Sequence, residues 1–327
     1  MRTKFKLLSL SASLLACGLG MSGNAQANAY AFAFDDIRNG VVTVIGGVAT
    51  PGVSSSQTST QGTPLPVTRA GDLATGPSLT PVDPLPATQG TPVRINETIG
   101  GTPLITGALG YTQFGQTATS YSWADAIIRT EQTVTPGSSI SAQNAAEGNI
   151  RGNGSATSQA SNSSTNALSF TAVLGAPGTI NFSFIANPYM EFALGAEALF
   201  GSRVNANLDF NVSIRDLSSN LVVFSWSPDG VINAVGGTVG GVELFDTQDL
   251  NGSIGTTIAG VSGNFSPSNA FTNFSATSNL LAAGTYDLNV NVNESQAVQL
   301  RVPEPGSLAL LGLSLAGLAF TRRRKQA

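Results

Sequence analysis

The alternation of apolar and polar side chains between residues 167 and 302 limits the fold more than any other feature of the sequence. In the longest run, apolar residues at every second position from Val204 to Ile214 alternate with Asn, Asp and Ser, and shorter runs cover Ile180 to Phe184 and Tyr286 to Val292. A period of two predicts half-buried strands of antiparallel sheets. Further apolar runs between Gly, Pro and Asn turns predict an all-β fold, an antiparallel β-sandwich at residues 106–301, with a jelly-roll as one variant.

Residues 28–302 lack cysteine, histidine and lysine, and this excludes several kinds of site. There is no thiol nucleophile, no imidazole acid or base, and no zinc, copper or haem site of the usual kinds. The same residues carry eight arginines against 18 acidic side chains, a net charge of −10. Because nucleic acid needs basic surfaces, we expect no nucleic-acid partner, and we expect no cofactor and no enzymatic activity.

Two segments precede the main domain. In residues 28–49, Asn39-Gly40 lies between two apolar runs and predicts a hairpin or an edge strand. Residues 50–105 contain nine of the sixteen prolines, mixed with Thr, Ser, Gly and Gln. Such a composition offers little apolar surface to offset the entropy of ordering, so a Pro/Thr/Gly-rich linker is predicted.

Residues 1–27 have the three parts of a secretory signal peptide. These are a basic start with Arg2, Lys4 and Lys6, an apolar stretch at 7–19, and the cleavage motif Ala25-Gln26-Ala27. We expect the secretion machinery to export the chain and signal peptidase to cut after Ala27. Cys17 leaves a second interpretation open, in which Leu14-Leu15-Ala16-Cys17-Gly18 acts as a lipobox and the thiol is acylated.

Residues 302–327 form a tail of three parts. Val302-Pro303-Glu304-Pro305 comes first, an apolar transmembrane helix is predicted over residues 307–320, and a basic cluster follows with Arg322, Arg323, Arg324 and Lys325. The prolines keep the first part extended. The apolar residues 308–320 span about 20 Å as a helix, less than the roughly 30 Å of membrane hydrocarbon. The basic cluster predicts a cytoplasmic C-terminus, so the residues before Pro303 face outward.

This tail resembles the PEP-CTERM sorting signal of Gram-negative bacteria. The resemblance implies that an exosortase, a membrane-embedded transpeptidase-like enzyme, recognises Pro303-Glu304-Pro305 and cleaves nearby. It also implies an exported protein that is first a precursor tethered to the inner membrane and then lies at the cell surface or in the extracellular matrix. Bacteria with such proteins typically make exopolysaccharide, which makes exopolysaccharide or biofilm matrix a candidate partner.

Two other functions remain open at this level. Exposed aromatic residues on a sheet stack on sugar rings, and this would make the domain a carbohydrate-binding module; the candidates are Tyr121, Trp123, Tyr189 and Trp226. Paired carboxylates run glycoside hydrolysis without histidine or cysteine; the candidate pairs are Glu191 with Glu197 and Asp209 with Asp216.

A calcium site is a further candidate. Asp246, Asp249 and Asn251 lie within six residues and supply the oxygen ligands that calcium prefers. The EF-hand spacing fails, because Ile258 stands where that loop requires a glutamate. The alternative is a solvated turn without a metal.

Overall fold

The computed structural model describes residues 28–51, 54–63, 68–69, 78–82, 93–94, 120–131, 139–161, 169–232, 237–265 and 270–302. The predicted signal peptide at 1–27, including Ala25, Ala27 and Cys17, lies outside the described residues, as does the tail from Pro303 onward with its predicted helix at 307–320. Within the described residues, no helix is long and apolar enough to cross a membrane.

Two β-sheets make up the described part of the chain, and each has ten strands. The first sheet contains β1 (Asn28–Val44), β4 (Thr68–Arg69), β6 (Val93–Arg94), β7 (Tyr121–Glu131), β8 (Ser139–Arg151), β11 (Ile180–Ala186), β12 (Tyr189–Leu194), β16 (Gly241–Phe245), β18 (Ser262–Phe265) and β19 (Thr272–Ser278). The second contains β2 (Gly47–Pro51), β3 (Ser54–Thr63), β5 (Ser78–Val82), β9 (Gly154–Ser161), β10 (Ser169–Leu174), β13 (Arg203–Asp216), β14 (Leu221–Trp226), β15 (Thr238–Val239), β17 (Ser253–Thr256) and β20 (Gly284–Leu300).

The strand pairs are antiparallel, except for the short parallel pair of β4 with β7. The first sheet has the order β16-β19-β11-β1-β8-β7-β4, and the second has the order β15-β14-β13-β20-β9-β3-β5. The alternating runs of the sequence become β11, β13 and β20, whose apolar residues are buried at every second position. The predicted all-β antiparallel fold is therefore confirmed for the described residues.

An aromatic core joins the inner faces of the two sheets. Phe184 of the first sheet contacts Phe210 and Trp226 of the second, with ring centroids 4.9 and 5.6 Å apart. Phe182 stacks on Phe224 of the second sheet at 5.9 Å. Fully burying side chains of this size contributes on the order of 2 kcal/mol each, so the aromatic core is a main source of stability in a chain that has no disulfide.

A second, aliphatic core lies toward the other end of the same strands, and its residues include Ala29, Ala31, Ala33, Ile150, Val204, Leu208, Val298 and Leu300. Between the two cores, the inward positions of three central strands are polar. We call this set the polar layer; it consists of Asp35, Asn144, Glu294 and Gln296, each at most 2% exposed. Gly148 faces the layer, where a Cβ atom would come within 2.3 Å of the Gln296 side chain. Polar side chains therefore occupy inward positions of long strands, although burying such groups costs free energy.

The N-terminal segment differs from its prediction. A hairpin or an edge strand was expected in residues 28–49, but β1 is one continuous strand that pairs with β8 on one side and with β11 and β12 on the other. Asn39 has a φ of 54°, and the register shifts there on both sides. Asn39-Gly40 thus forms a bulge, because the left-handed conformation that suits a tight turn also suits an extra residue in a strand.

The predicted linker at residues 50–105 also contains strands. β3 pairs with β9 from Gln57 to Thr63 and with β5 from Ser54 to Thr58, so this part of the segment belongs to the second sheet. Its sequence of Ser, Thr, Gln and Gly has no apolar alternation, and its backbone pairs with both neighbouring strands. The remainder of residues 50–105 lies outside the described residues, apart from the short strands already named.

Candidate functional site

The domain ends where the predicted sorting motif begins, and hydrogen bonds hold the chain at that point. The Arg301 N–H donates to Ser202 Oγ at 3.0 Å, and the Leu199 N–H donates to the Arg301 carbonyl at 2.8 Å. The Val302 N–H donates to Asn153 Oδ1 at 2.7 Å. Val302, the first residue of the predicted motif, is therefore part of the folded domain, and Pro303 follows it directly.

The loop of residues 195–202 holds the chain at the end of the domain through its hydrogen bonds to Arg301, and we call it the bracket loop. Gly201 has a φ of 87°, a conformation that side chains other than glycine rarely adopt. A Cβ atom there would also come within 3.1 Å of the Arg301 guanidinium. Glycine thus lets the loop turn back and leaves room for Arg301, which places Ser202 against the last residues before the motif.

The N-terminal end of the described chain lies at the same end of the domain. Asn28 pairs with Arg151 at the end of β8, and its carbonyl accepts a hydrogen bond from the Gly195 N–H at 2.7 Å. Gly195 opens the same loop that brackets Arg301. The points at which signal peptidase and an exosortase are predicted to act therefore both adjoin one end of the two sheets.

The three calcium candidates lie near one another, but their side chains bind backbone groups of this and neighbouring segments. Asp246 is 1% exposed and accepts hydrogen bonds from the N–H groups of Asp229 at 2.8 Å and Gly230 at 3.2 Å. Burial raises the pKa of Asp246 to about 6. Asp249 accepts from the Asn251 N–H at 2.7 Å, and burial raises its pKa as well. Within the described residues, no three Asp, Glu, His or Cys side chains group as a metal site.

The Asn251 side chain completes this loop cluster. Its Oδ1 accepts a hydrogen bond from the Phe210 N–H at 2.9 Å, and its Nδ2 donates to the Pro228 carbonyl at 2.8 Å. An amide that is used in this way ties the loop to β13. The observed role of the cluster is thus to fasten loops, while calcium binding stays a prediction.

The side chain of Trp123 lies outside the described residues, and the other three aromatic residues considered for sugar stacking do not form an exposed platform. Trp226 is fully buried in the aromatic core, where its Nε1 donates to Glu243 at 2.7 Å. Tyr121 is also fully buried and donates to Glu147 at 2.8 Å. Tyr189 is half-buried and donates to Glu191 at 3.0 Å. Three of the four candidates are therefore buried or hydrogen-bonded to a neighbouring carboxylate.

Of the two carboxylate pairs considered for hydrolysis, Asp209 and Asp216 are too far apart to act together. Asp209 and Asp216 lie seven residues apart on β13, which corresponds to about 23 Å along a strand, against the roughly 5 to 10 Å that glycoside hydrolases need. Asp216 instead caps the following turn through Ser218 and Ser219, and these hydrogen bonds lower its pKa. Glu191 lies on β12, whereas Glu197 is an exposed loop residue.

Two buried acids that sequence reasoning missed face each other in the polar layer. Burial, followed by the charge of Asp36, raises the pKa of Asp35 to about 8. Burial and the charge of Asp35 raise the pKa of Glu294 well above its usual range, although a hydrogen bond with Asn144 opposes this. The Asn144 Nδ2 also donates to the Val292 carbonyl of the opposite sheet at 3.0 Å. Among the described residues, Asp35 Oδ1, Asn144 Oδ1 and Glu294 Oε2 have no hydrogen-bond partner.

A third buried acid lies on the other face of the first sheet. Glu147 is fully buried, and its Oε1 accepts hydrogen bonds from the hydroxyl groups of Tyr30 at 2.9 Å and Tyr121 at 2.8 Å. The three side chains come from adjacent strands β1, β7 and β8. Donated hydroxyl groups stabilise a buried carboxylate, so this trio ties the strands together.

The cavity between the sheets is too small for a substrate. It has a volume of about 30 Å³, and its lining includes Ile37, Val42, Ala142, Phe184 and Val292. A volume of this size holds about one water molecule, and the lining is almost wholly apolar. This cavity thus has no room for a sugar ring.

Comparison with known families identifies the C-terminal region. Residues 301–325 match the model of the PEP-CTERM protein-sorting motif, which confirms the resemblance inferred from the tail. The motif indicates an exported protein that is targeted to an exosortase. Its first two residues are Arg301 and Val302, the residues that Ser202 and Asn153 hold at the domain end. Comparisons with curated proteins and with solved structures found no match.

Proposed function

We propose that this chain is the precursor of a non-enzymatic surface or matrix protein whose β-sandwich is cargo for an exosortase. The precursor is held in the inner membrane by the apolar helix at 307–320, cut near Pro303-Glu304-Pro305, and displayed on the cell or released into its exopolysaccharide matrix. The observation that carries the proposal is the sorting motif at residues 301–325, which starts where the folded domain ends.

Several features support cargo over an enzyme. Asp209 and Asp216 are far apart along β13, Asp216 is engaged in a turn, and the cavity between the sheets holds about 30 Å³. Tyr121 and Trp226, two of the aromatic residues considered for sugar stacking, are buried and bonded to interior carboxylates. A domain whose polar groups bind within its own loops and sheets fits an exported protein whose functional signal is the sorting tail.

The test is the fate of the full chain in cells with and without the exosortase. We expect a trimmed protein at the surface or in the medium of normal cells, and full-length protein in the inner membrane of cells that lack the enzyme. Glu304→Gln should cause the same accumulation, whereas Asp209→Asn, which changes an exposed acid on β13, should be processed normally. Trimming without the exosortase would contradict the proposal.

The matrix association needs its own measurement. Purified processed protein should be retained by the producer's exopolysaccharide and not by an unrelated polysaccharide. If the producer's polymer retains nothing at high protein concentration, the association with exopolysaccharide is wrong, although exosortase processing would still stand.

A further inference from the structure

The end of the domain from which the sorting tail leaves carries exposed apolar side chains. Phe200 is fully exposed, Ile258 is 66% exposed and Leu199 is 46% exposed. We call this region the tail end; it comprises the loop 195–202, the turn 257–261, and Arg203, Arg301 and Val302. Exposed large apolar residues that lie together on a soluble domain mark a contact surface.

Backbone hydrogen bonds place these residues beside the exit point. The Leu199 N–H donates to the Arg301 carbonyl at 2.8 Å, and the Gly260 N–H donates to the Leu194 carbonyl at 2.8 Å. A Cβ atom on Gly260 would lie 3.7 Å from the Ala196 side chain, so the turn 257–261 packs against the loop 195–202. The turn thus lies against the loop, and the loop in turn is bonded to Arg301, the residue before Val302.

The tail end also carries more positive charge than the rest of the mature region. Arg203 and Arg301 are exposed, Arg151 is half-buried beside Asn28, and Glu197 is the acidic residue of the loop. The mature region as a whole has a net charge of −10. Arginines around exposed apolar side chains are the combination that binds anionic lipid surfaces, since the apolar groups enter the headgroup region and the cations meet the phosphates.

The short connection between the domain and the predicted helix limits how far this surface can lie from the membrane. Four residues, 303–306, separate Val302 from the predicted helix. Fully extended, they span at most about 14 Å. The headgroup region between the hydrocarbon and water is roughly 5 to 7 Å thick. Because Val302 is hydrogen-bonded to Asn153, the tail end of a tethered precursor must lie within roughly 10 Å of the lipid surface.

We propose that the tail end docks on the anionic lipid surface while the precursor is tethered, with Phe200, Leu199 and Ile258 in the headgroup region. This rests on the proposed function, because it needs the helix at 307–320 to hold the chain in the membrane. Docking fixes the orientation of the domain and presents residues 303–305 at the depth where a membrane-embedded enzyme acts.

The test uses residues 28–327, the precursor as it stands after the predicted cut by signal peptidase, which has no cysteine, reconstituted into phosphatidylglycerol vesicles. A fluorescent label on Ile258→Cys should be quenched by spin-labelled lipid, whereas a label on Leu217→Cys, a residue that is 50% exposed in the turn after β13, should not be quenched. Adding Phe200→Ser should lower the docked-to-undocked ratio roughly tenfold, the factor that about 1.4 kcal/mol of lost apolar burial gives. Leu217→Ser is the matched control and should leave the ratio unchanged.

Equal quenching at both labels, or quenching that Phe200→Ser does not change, would overturn the proposal. Flotation of residues 28–327 with the vesicles tests tethering separately, since it depends on the predicted helix and not on Phe200. Failure of docking in vesicles that carry the chain is thus distinguishable from failure of the tether itself.

Discussion

Replacing Asp35 by asparagine should change how the stability of the domain depends on pH. The folded state raises the pKa of Asp35 from its ordinary 3.8 to about 8, mainly through burial. Between these two values the folded protein holds a proton that the unfolded chain has lost. Stability from this group is therefore fully present below about pH 4 and is lost as the pH rises toward 8.

One such proton is worth about 1.4 kcal/mol per pH unit, or about 3 kcal/mol between pH 5 and pH 7. Glu294 acts in the same direction, because its pKa is also raised and it faces Asp35. Asparagine keeps the shape of the side chain and cannot ionise. Asp35→Asn should therefore flatten the pH dependence and should be at least as stable as the native protein at pH 7.

Urea unfolding at about pH 5, 6 and 7 measures this directly. Asp287→Asn, which removes a half-buried carboxyl from the outer face of β20, is the control for the loss of one negative charge, and most of the slope should remain in it. If Asp35→Asn and the native protein lost stability in parallel, or if native stability rose over this range, the assignment of a buried proton to the polar layer would be wrong.

Three further predictions concern the loops and the core. Gly201→Ala should cost about 1 to 3 kcal/mol because of its positive φ and should lower the melting temperature, whereas Gly175→Ala, with open space around it, should have little effect. Trp226→Phe should cost about 1 to 3 kcal/mol in urea unfolding, because the buried Glu243 loses a donor; unchanged stability would contradict this. Asp246→Ala should lower the melting temperature by freeing two backbone N–H groups, while EDTA should not; a fall with EDTA would indicate a calcium site instead.

The predictable strands are those in which one face is buried and the other is exposed to solvent. β13 and β14 lie where the alternation and the turn residues place them, because one face of each strand packs on the aromatic core. β3 was not predictable, since its Ser, Thr and Gln residues pair through the backbone without an apolar face. Asn39-Gly40 was ambiguous, because a bulge and a hairpin turn both use a residue with positive φ.

The polar layer had a signal in the sequence that is visible once β20 is known. The alternation that ends in Val290 and Val292 continues in the same phase through Glu294 and Gln296 to Val298 and Leu300. Extending it would have placed a glutamate in the interior. Its partner Asp35 gave no such signal, because β1 is buried on both faces and has no polar face for comparison.

The sorting tail was predictable because its recognition depends on local sequence and not on packing. The hydrogen bonds at the end of the domain were not predictable. They join Arg301 to Ser202 and Val302 to Asn153, residues about 100 to 150 positions apart in the sequence. These hydrogen bonds limit the distance between the domain and the membrane, because they leave four residues between the domain and the predicted helix.

The intact mass of the protein recovered from the cell envelope and from the medium tests the central claim most directly. The account predicts a mature chain that begins at Asn28 and ends near Pro303. A mature protein that retains Arg322 to Lys325 would contradict processing at the sorting motif.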